Sequence, residues 1–186
     1  MVNIKIDIFN TDKKYSLILC DPPWKYGSKG PLGGKFGKLD YSDMTIAELK
    51  LLPVANLADN PCALLMWFTG SFAKEAIEVC EAWGFKFVRI DTVWKKVKPT
   101  GGKHAPCGPW GMSDAEFVLL GTKGKACSMQ EVRNQYVVQE ACYTGKHSEK
   151  PESILELFDA RFGNVPRLEM FSRRERSGWD CFGDGV

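Results

Sequence analysis

The sequence predicts an α/β fold: a mostly parallel, twisted sheet with helices on both faces. Short apolar runs recur along the chain, and stretches with apolar residues at helical spacing lie between them. The two kinds alternate, which is the pattern of a doubly wound sheet. With 186 residues, 44% of them hydrophobic, the chain is expected to form a single domain, 1–186, around a substantial core.

The elements follow in order. "YSLILC" (Tyr15–Cys20) reads as a buried strand. Asp21, Pro22 and Pro23 must end it, because proline cannot donate to a ladder. Thr45 and Glu48 stand at capping-box spacing, so a helix starts there and stops near Pro53. "ALLMWF" (63–68) reads as a second strand. Ser71 is expected to cap the next helix, with Phe72, Ala76, Val79 or Cys80, and Trp83 on one face and Gly84 at its end. "FKFVRIDTVW" (85–94), "AEFVLLGTK" (115–123) and "YVVQEA" (136–141) read as further strands. Pro151 suits a first helical position, followed by Ile154, Leu155, Phe158 and Phe162 on one face. "RLEMF" (167–171) then reads as a strand. The stretches 25–44 and 95–114 are too long for simple connectors, and loops of that length are usually functional or disordered.

Composition removes several classes. No apolar stretch is long enough to span a bilayer, and the first residues lack a signal peptide's basic-then-apolar pattern, so no membrane partner is expected. The seven cysteines are odd in number and none stand at Cys-x-x-Cys spacing. With only His104 and His147 beside them, neither a metal site nor a disulfide framework is expected, and free thiols suit a reducing cytoplasm. A net charge of +2 neither demands nor excludes nucleic acid. Lysines cluster at Lys25, Lys29, Lys35 and Lys38, and again at Lys95, Lys96, Lys98 and Lys103. These are either solvated loop charge or basic rims for phosphates. Gly34 and Lys35 do not form a Walker loop, because Lys29 replaces its first glycine and Phe36 its hydroxyl residue.

Asp21-Pro22-Pro23-Trp24 carries the chemistry. Ligands of open α/β sheets bind outside the carboxyl ends of strands, where these residues should lie. Asp21 is an acceptor, and Pro23 holds Pro22 extended, so the Pro22 carbonyl is a second acceptor with a fixed direction. Two such acceptors can hold both hydrogens of a nucleobase amine and free its lone pair, while Trp24 offers a flat face beside them. Those are the needs of amino-directed methyl transfer from a sulfonium, an in-line displacement governed by placement. The alternative is a turn whose aspartate caps and whose tryptophan packs in the core. The four residues alone leave both readings open.

Four segments in order resemble the MT-A-seventy (MT-A70) family of adenine-N6 methyltransferases. They are "LILCDPPWKY", the 41–70 segment, "GPWGMSDAEFVLLGTKG" (108–124), and the 147–185 segment, with the catalytic motif first as in permuted β-class enzymes. The resemblance implies a Rossmann-like, S-adenosylmethionine-dependent methyltransferase fold and S-adenosylhomocysteine as product. It implies that Asp21 and Pro22 hold the adenine amine with Pro23 and Trp24 shaping the hook. Lys150 would pair with the cofactor carboxylate, Glu169 would accept from its ribose, and Phe171 and Arg173 would lie beside it. Asp184 would meet the cofactor adenine, with Asp7 and Ile8 as a further contact. Tyr41, Trp67 and Glu116 would lie toward the target base, and the loop lysines beginning at Lys25 would suit a phosphate backbone. A duplex target must be flipped out. The implied partner is DNA, with RNA as the alternative, in the cytoplasm of a bacterium or phage-infected host. A homo- or heterodimer fits, as does a rival role as non-catalytic scaffold. The presence of Asp21, Pro22, Pro23, Trp24, Lys150 and Glu169 favours an enzyme.

Overall fold

The computed structural model describes residues 5–26, 43–102, 104, 105, 107, 111–143 and 149–183. Seven strands form one sheet in the order β5-β3-β4-β2-β1-β6-β7. They are β1 (Tyr15–Cys20), β2 (Ala58–Phe68), β3 (Lys86–Val97), β4 (Ala115–Lys123), β5 (Val138–Cys142), β6 (Arg167–Met170) and β7 (Asp180–Phe182). β1 runs parallel to β2 and β6, β6 to β7, and β3 to β5. β4 is antiparallel to both β2 and β3. The carboxyl ends of the parallel strands therefore share one edge, and β4 begins at that same edge.

The two-residue period of the strands sorts the core into two layers. Ile18, Cys20, Leu64 and Met66 join one cluster with Leu49, Val54, Leu57, Ala76 and Val79. These come from α1 (Ile46–Leu51), α2 (Val54–Leu57) and α3 (Ala73–Ala82). Leu17, Leu19, Ala63, Leu65 and Trp67 join the other with Ile154, Leu155, Phe158 and Phe162 of α4 (Glu152–Phe162). Helices thus cover both faces, as predicted. Asp21 follows Leu17 and Leu19 at alternate positions and so continues the α4 face.

Local chemistry explains most of the boundaries. Thr45 and Glu48 form the expected capping box on α1. Gly84, at φ 80°, turns the chain out of α3. Trp83 Nε1 donates to the Leu49 carbonyl at 2.7 Å and ties α3 to α1. Ser71, expected to cap α3, does not: a 3₁₀ turn at Gly70–Phe72 leads in, and no side chain caps the helix. β3 extends to Val97 because β5 pairs with it through Cys142, drawing 95–97 out of the anticipated loop. α2 and β7 were not foreseen. Among the described residues, no helix is long and apolar enough to cross a membrane.

Gly121 of β4 lies under α3, and a Cβ there would stand 2.6 Å from Cys80 Sγ and 3.1 Å from Phe85 Cβ. Gly121→Ala should lower stability by about 1–3 kcal/mol through overpacking. Adding Cys80→Ala should recover part of that loss in thermal unfolding.

Candidate active site

β1 delivers Asp21 at the carboxyl edge, and the following residues are tied down by their own backbone. Trp24 N–H donates to the Pro22 carbonyl at 2.8 Å, Met44 N–H to the Pro23 carbonyl at 2.8 Å, and Lys25 N–H to the Met44 carbonyl at 3.2 Å. A carbonyl has two lone pairs, so Pro22 can accept a second bond. The Trp24 ring is buried and stacked on Phe72 at 5.3 Å. Its Nε1 donates to the Trp67 carbonyl at 3.1 Å. Trp24 is therefore a bolt that fastens the hook to the end of β2, which is the core-packing alternative the sequence left open rather than an open flat face. Tyr26 seals the joint, edge-on to Phe72 at 4.8 Å with its hydroxyl 2.9 Å from Thr69 Oγ1.

Asp21 opens on a cavity of about 330 Å³. Leu19 and Trp67 form its sheet wall, Glu149, Lys150 and Leu155 the α4 side, and Glu169, Phe171, Arg173 and Arg174 the β6 side. Glu169 Oε2 and Trp67 Nε1 are buried without a hydrogen-bond partner. A buried acceptor and a buried donor left over in the lining of one cavity point to a polar ligand. Burial pushes the Glu169 carboxyl up, outweighing the pull of Arg176 and Arg174. Phe171, at φ 62°, occupies the left-handed region that non-glycine residues avoid, and strain of this kind gathers at ligand sites.

Charges of alternating sign cross the floor of the site. Lys150 Nζ lies 2.7 Å from Asp21 Oδ2 and 3.2 Å from Glu116 Oε2. Glu116 Oε1 lies 2.6 Å from Lys96 Nζ. Lys150 also sits over the Trp67 ring at 5.4 Å. Burial works against the Lys150 charge, but Asp21 and Glu116 prevail and hold its pKa above the ordinary lysine value. Burial lifts Asp21 above an ordinary aspartate; Lys150 opposes this and Glu116 adds to it. Burial also pushes Glu116 up, but Lys150 and Lys96 together bring it below the usual glutamate value.

The structure brings together Asp21, Trp67, Glu116, Lys150, Glu169, Phe171 and Arg173, which lie far apart in the sequence. It does not bring in Asp7 or Ile8. Asp7 is exposed and accepts from Phe9 N–H at 3.0 Å, while Ile8 packs into the core layer on the opposite face. Neither lines the cavity described above. Lys25 is exposed, 3.7 Å from Asp43. Tyr41 and Asp184 lie outside the described residues, as does the whole 27–38 glycine-lysine stretch. Arg176, unassigned in sequence, is buried over Trp179 and paired with Asp159. Asp159 also accepts from Arg167 and Trp179, so this cluster fixes α4 to the turn that carries Arg173 and Arg174. Sequence reasoning missed Leu19, Glu149, Leu155 and Arg174 as wall residues; Leu19 was readable, two positions before Asp21 on one face.

A larger cavity of about 430 Å³ lies at the opposite end of the sheet, beside Asp91, Gln130 and Arg161. There Arg161 donates to Asp91 at 2.7 Å and to Gln130 at 2.8 Å, so these groups satisfy one another. Glu169 Oε2, Trp67 Nε1 and the charge chain belong to the smaller cavity, which is therefore the candidate site.

The MT-A70 family model matches residues 15–185. The type II methyltransferase M.MunI of Mycoplasma sp is 30% identical over 187 residues, covering 92% of this chain and 77% of that protein. The mouse N(6)-adenine-specific methyltransferase METTL4 is 26% identical, covering 96% of this chain and 39% of that protein. The N6-methyladenosine RNA methyltransferase MTA1 of Cryphonectria parasitica is 24% identical, covering 92% of this chain and 52% of that protein.

Lys150→Met would leave Asp21 and Glu116 facing each other without the cation between them. Their folded pKa values would rise, and an acid whose folded pKa is raised loses stability as pH climbs through that value. The variant should therefore melt well below the parent at pH 8, with the gap closing toward pH 5. Thermal unfolding across that range measures it.

Proposed function

The chain belongs to the MT-A70 family of adenine-N6 methyltransferases, and from that premise we propose that it transfers a methyl group from S-adenosylmethionine to the N6 amine of adenine in DNA. One observation carries the reading: the Asp21 carboxylate at the end of β1, braced by Lys150, opens on a cavity whose far wall holds an unpartnered glutamate oxygen. DNA is favoured because the type II methyltransferase is matched over most of its own length. RNA is the alternative, on the strength of the fungal RNA enzyme.

MT-A70 methyltransferases use S-adenosylmethionine, and the cavity's residues suit it. Glu169 would accept from the ribose hydroxyls, Arg173 and Phe171 would lie beside the sugar, and Lys150 would meet the carboxylate. When bound, the cofactor supplies an electrophilic methyl group on a sulfonium.

The rest is done by this chain. Asp21 accepts one amine hydrogen, and the remaining lone pair of the Pro22 carbonyl accepts the other. Gripped this way, the nitrogen pyramidalises and its lone pair points away from the ring. The nitrogen–carbon bond forms as the sulfur–carbon bond breaks, and one amine proton must leave. Asp21 is placed to take it and release it to solvent, since burial has raised its affinity for a proton. Lys150 keeps the same carboxylate charged between turnovers, and the Trp24 bolt holds its geometry. The walls at Leu19, Trp67 and Leu155 limit water around the reacting atoms.

Asp21→Ala should lower methyl transfer at least about a hundredfold while cofactor affinity in calorimetry stays near that of the parent. Near-normal turnover would overturn the role. Glu169→Ala should weaken cofactor binding about tenfold or more, the value of a hydrogen bond to a charged group. The defining experiment incubates the protein with labelled cofactor and a panel of duplex and single-stranded DNA and RNA, then reads nucleosides by mass spectrometry. N6-methyladenine in DNA is expected. Label confined to RNA would reassign the substrate, and no label in any arm would overturn the activity.

A further inference from the structure

We propose that Lys96 is a positioning residue for methyl transfer: by holding Glu116, it determines how Lys150 is shared between Glu116 and the Asp21 hook. The inference rests on the activity proposed above. Lys96 has 9% of its surface exposed, and lysines are rarely so buried unless they are paired. It stands one position before the end of β3, with its Nζ 5.1 Å from the Trp94 ring centroid and 6.0 Å from that of Tyr143. Its ion-pair partner is Glu116 at 2.6 Å, which β4 presents as its second residue at the carboxyl edge of the parallel strands. Lys96 does not line the cavity. It reaches the hook only through Glu116 and Lys150, so it acts by placement.

The four groups form a neutral, alternating row: Asp21, Lys150, Glu116, Lys96. Taking away the terminal cation leaves one lysine to serve two carboxylates. Glu116 then competes with Asp21 for Lys150, and the carboxyl pair binds a proton at higher pH. Groups on every neighbouring element face this row. Arg173 and Glu169 approach Asp21 from the β6 side. Lys150 stands at the start of α4, and Trp67 lies beneath it from β2. Tyr143, just beyond β5, closes the Lys96 end, stacked on His104 at 4.0 Å. None of these can replace the Lys96 charge beside Glu116.

The test compares Lys96→Met and Lys96→Arg with the parent in the pH dependence of kcat, at saturating cofactor and DNA. Lys96→Met should move the acid limb upward by about one pH unit or more, the usual effect of losing a close opposite charge. Its KM for cofactor should stay within about twofold of the parent, because no cavity wall has changed. Lys96→Arg should restore the limb. A Lys96→Met profile that overlays the parent's overturns the proposal, as does a Lys96→Arg profile displaced just as far. If Lys96→Met does not fold, Lys96→Gln takes its place. The carboxyl ¹³C resonances of Asp21 and Glu116 are then titrated directly, and unmoved midpoints overturn it equally. The labelled-cofactor panel on the parent separates the two levels: no methyl transfer in any arm sinks the activity reading. An inactive Asp21→Ala beside an unshifted Lys96→Met sinks only this inference.

Discussion

A lysine held between two carboxylates in a half-dry cleft is the constraint on which the rest of the site depends. Each of Lys150, Asp21 and Glu116 would be costly to bury alone, and none has a neutral substitute nearby. Their mutual attraction in a low-dielectric cleft offsets much of that cost only if the geometry is kept. The three arrive from different elements: the end of β1, the start of β4 and the segment two residues before α4 opens. Keeping the geometry therefore means keeping β4 antiparallel, because only that direction brings Glu116 to the same edge as Asp21. It also means docking α4 against Leu17, Leu19 and Trp67, so that its first turn falls beside the hook.

The two faces of the sheet divide the labour. The α4 face carries the ligand chemistry, while the opposite face carries the anchors. Trp24 turns away from the cavity and packs on Phe72, and its indole N–H holds the end of β2. A stacking surface for a base and an anchor for a loop make opposite demands on one ring, and here the anchor prevails. Rigidity of the hook is gained through a residue that need never touch substrate.

Much of the fold was legible because its signals are local. The apolar run of β1, the Thr45 box, the Gly84 stop and the α4 face at Ile154, Leu155, Phe158 and Phe162 all follow from spacing within a few residues. What escaped depends on partners far away in sequence. β3 runs on to Val97 because β5 lies alongside, and β7 is a three-residue strand that exists only by pairing with β6. Ser71 had the right chemistry for a cap, but the chain enters α3 through a 3₁₀ turn. At the site, the motif residues were legible as residues of interest but not as a network. Lys150 read as a partner for a cofactor carboxylate, and the two carboxylates it meets within the chain, Asp21 and Glu116, were not foreseen. Lys96 was hidden among exposed loop lysines, although the alternation of β3 places it on the same face as Trp94.

Cys20 immediately precedes the hook, yet its side chain enters the opposite core layer with Ile18 and Met66. Burial drives its thiol pKa well above the ordinary range, and the Asp21 and Cys80 charges push further in the same direction. A sulfonium alkylates soft sulfur anions more readily than an amine, so a thiolate here would be a suicide nucleophile. Strand alternation and burial together keep this sulfur protonated and out of reach, which leaves the amine as the better nucleophile at the reacting centre.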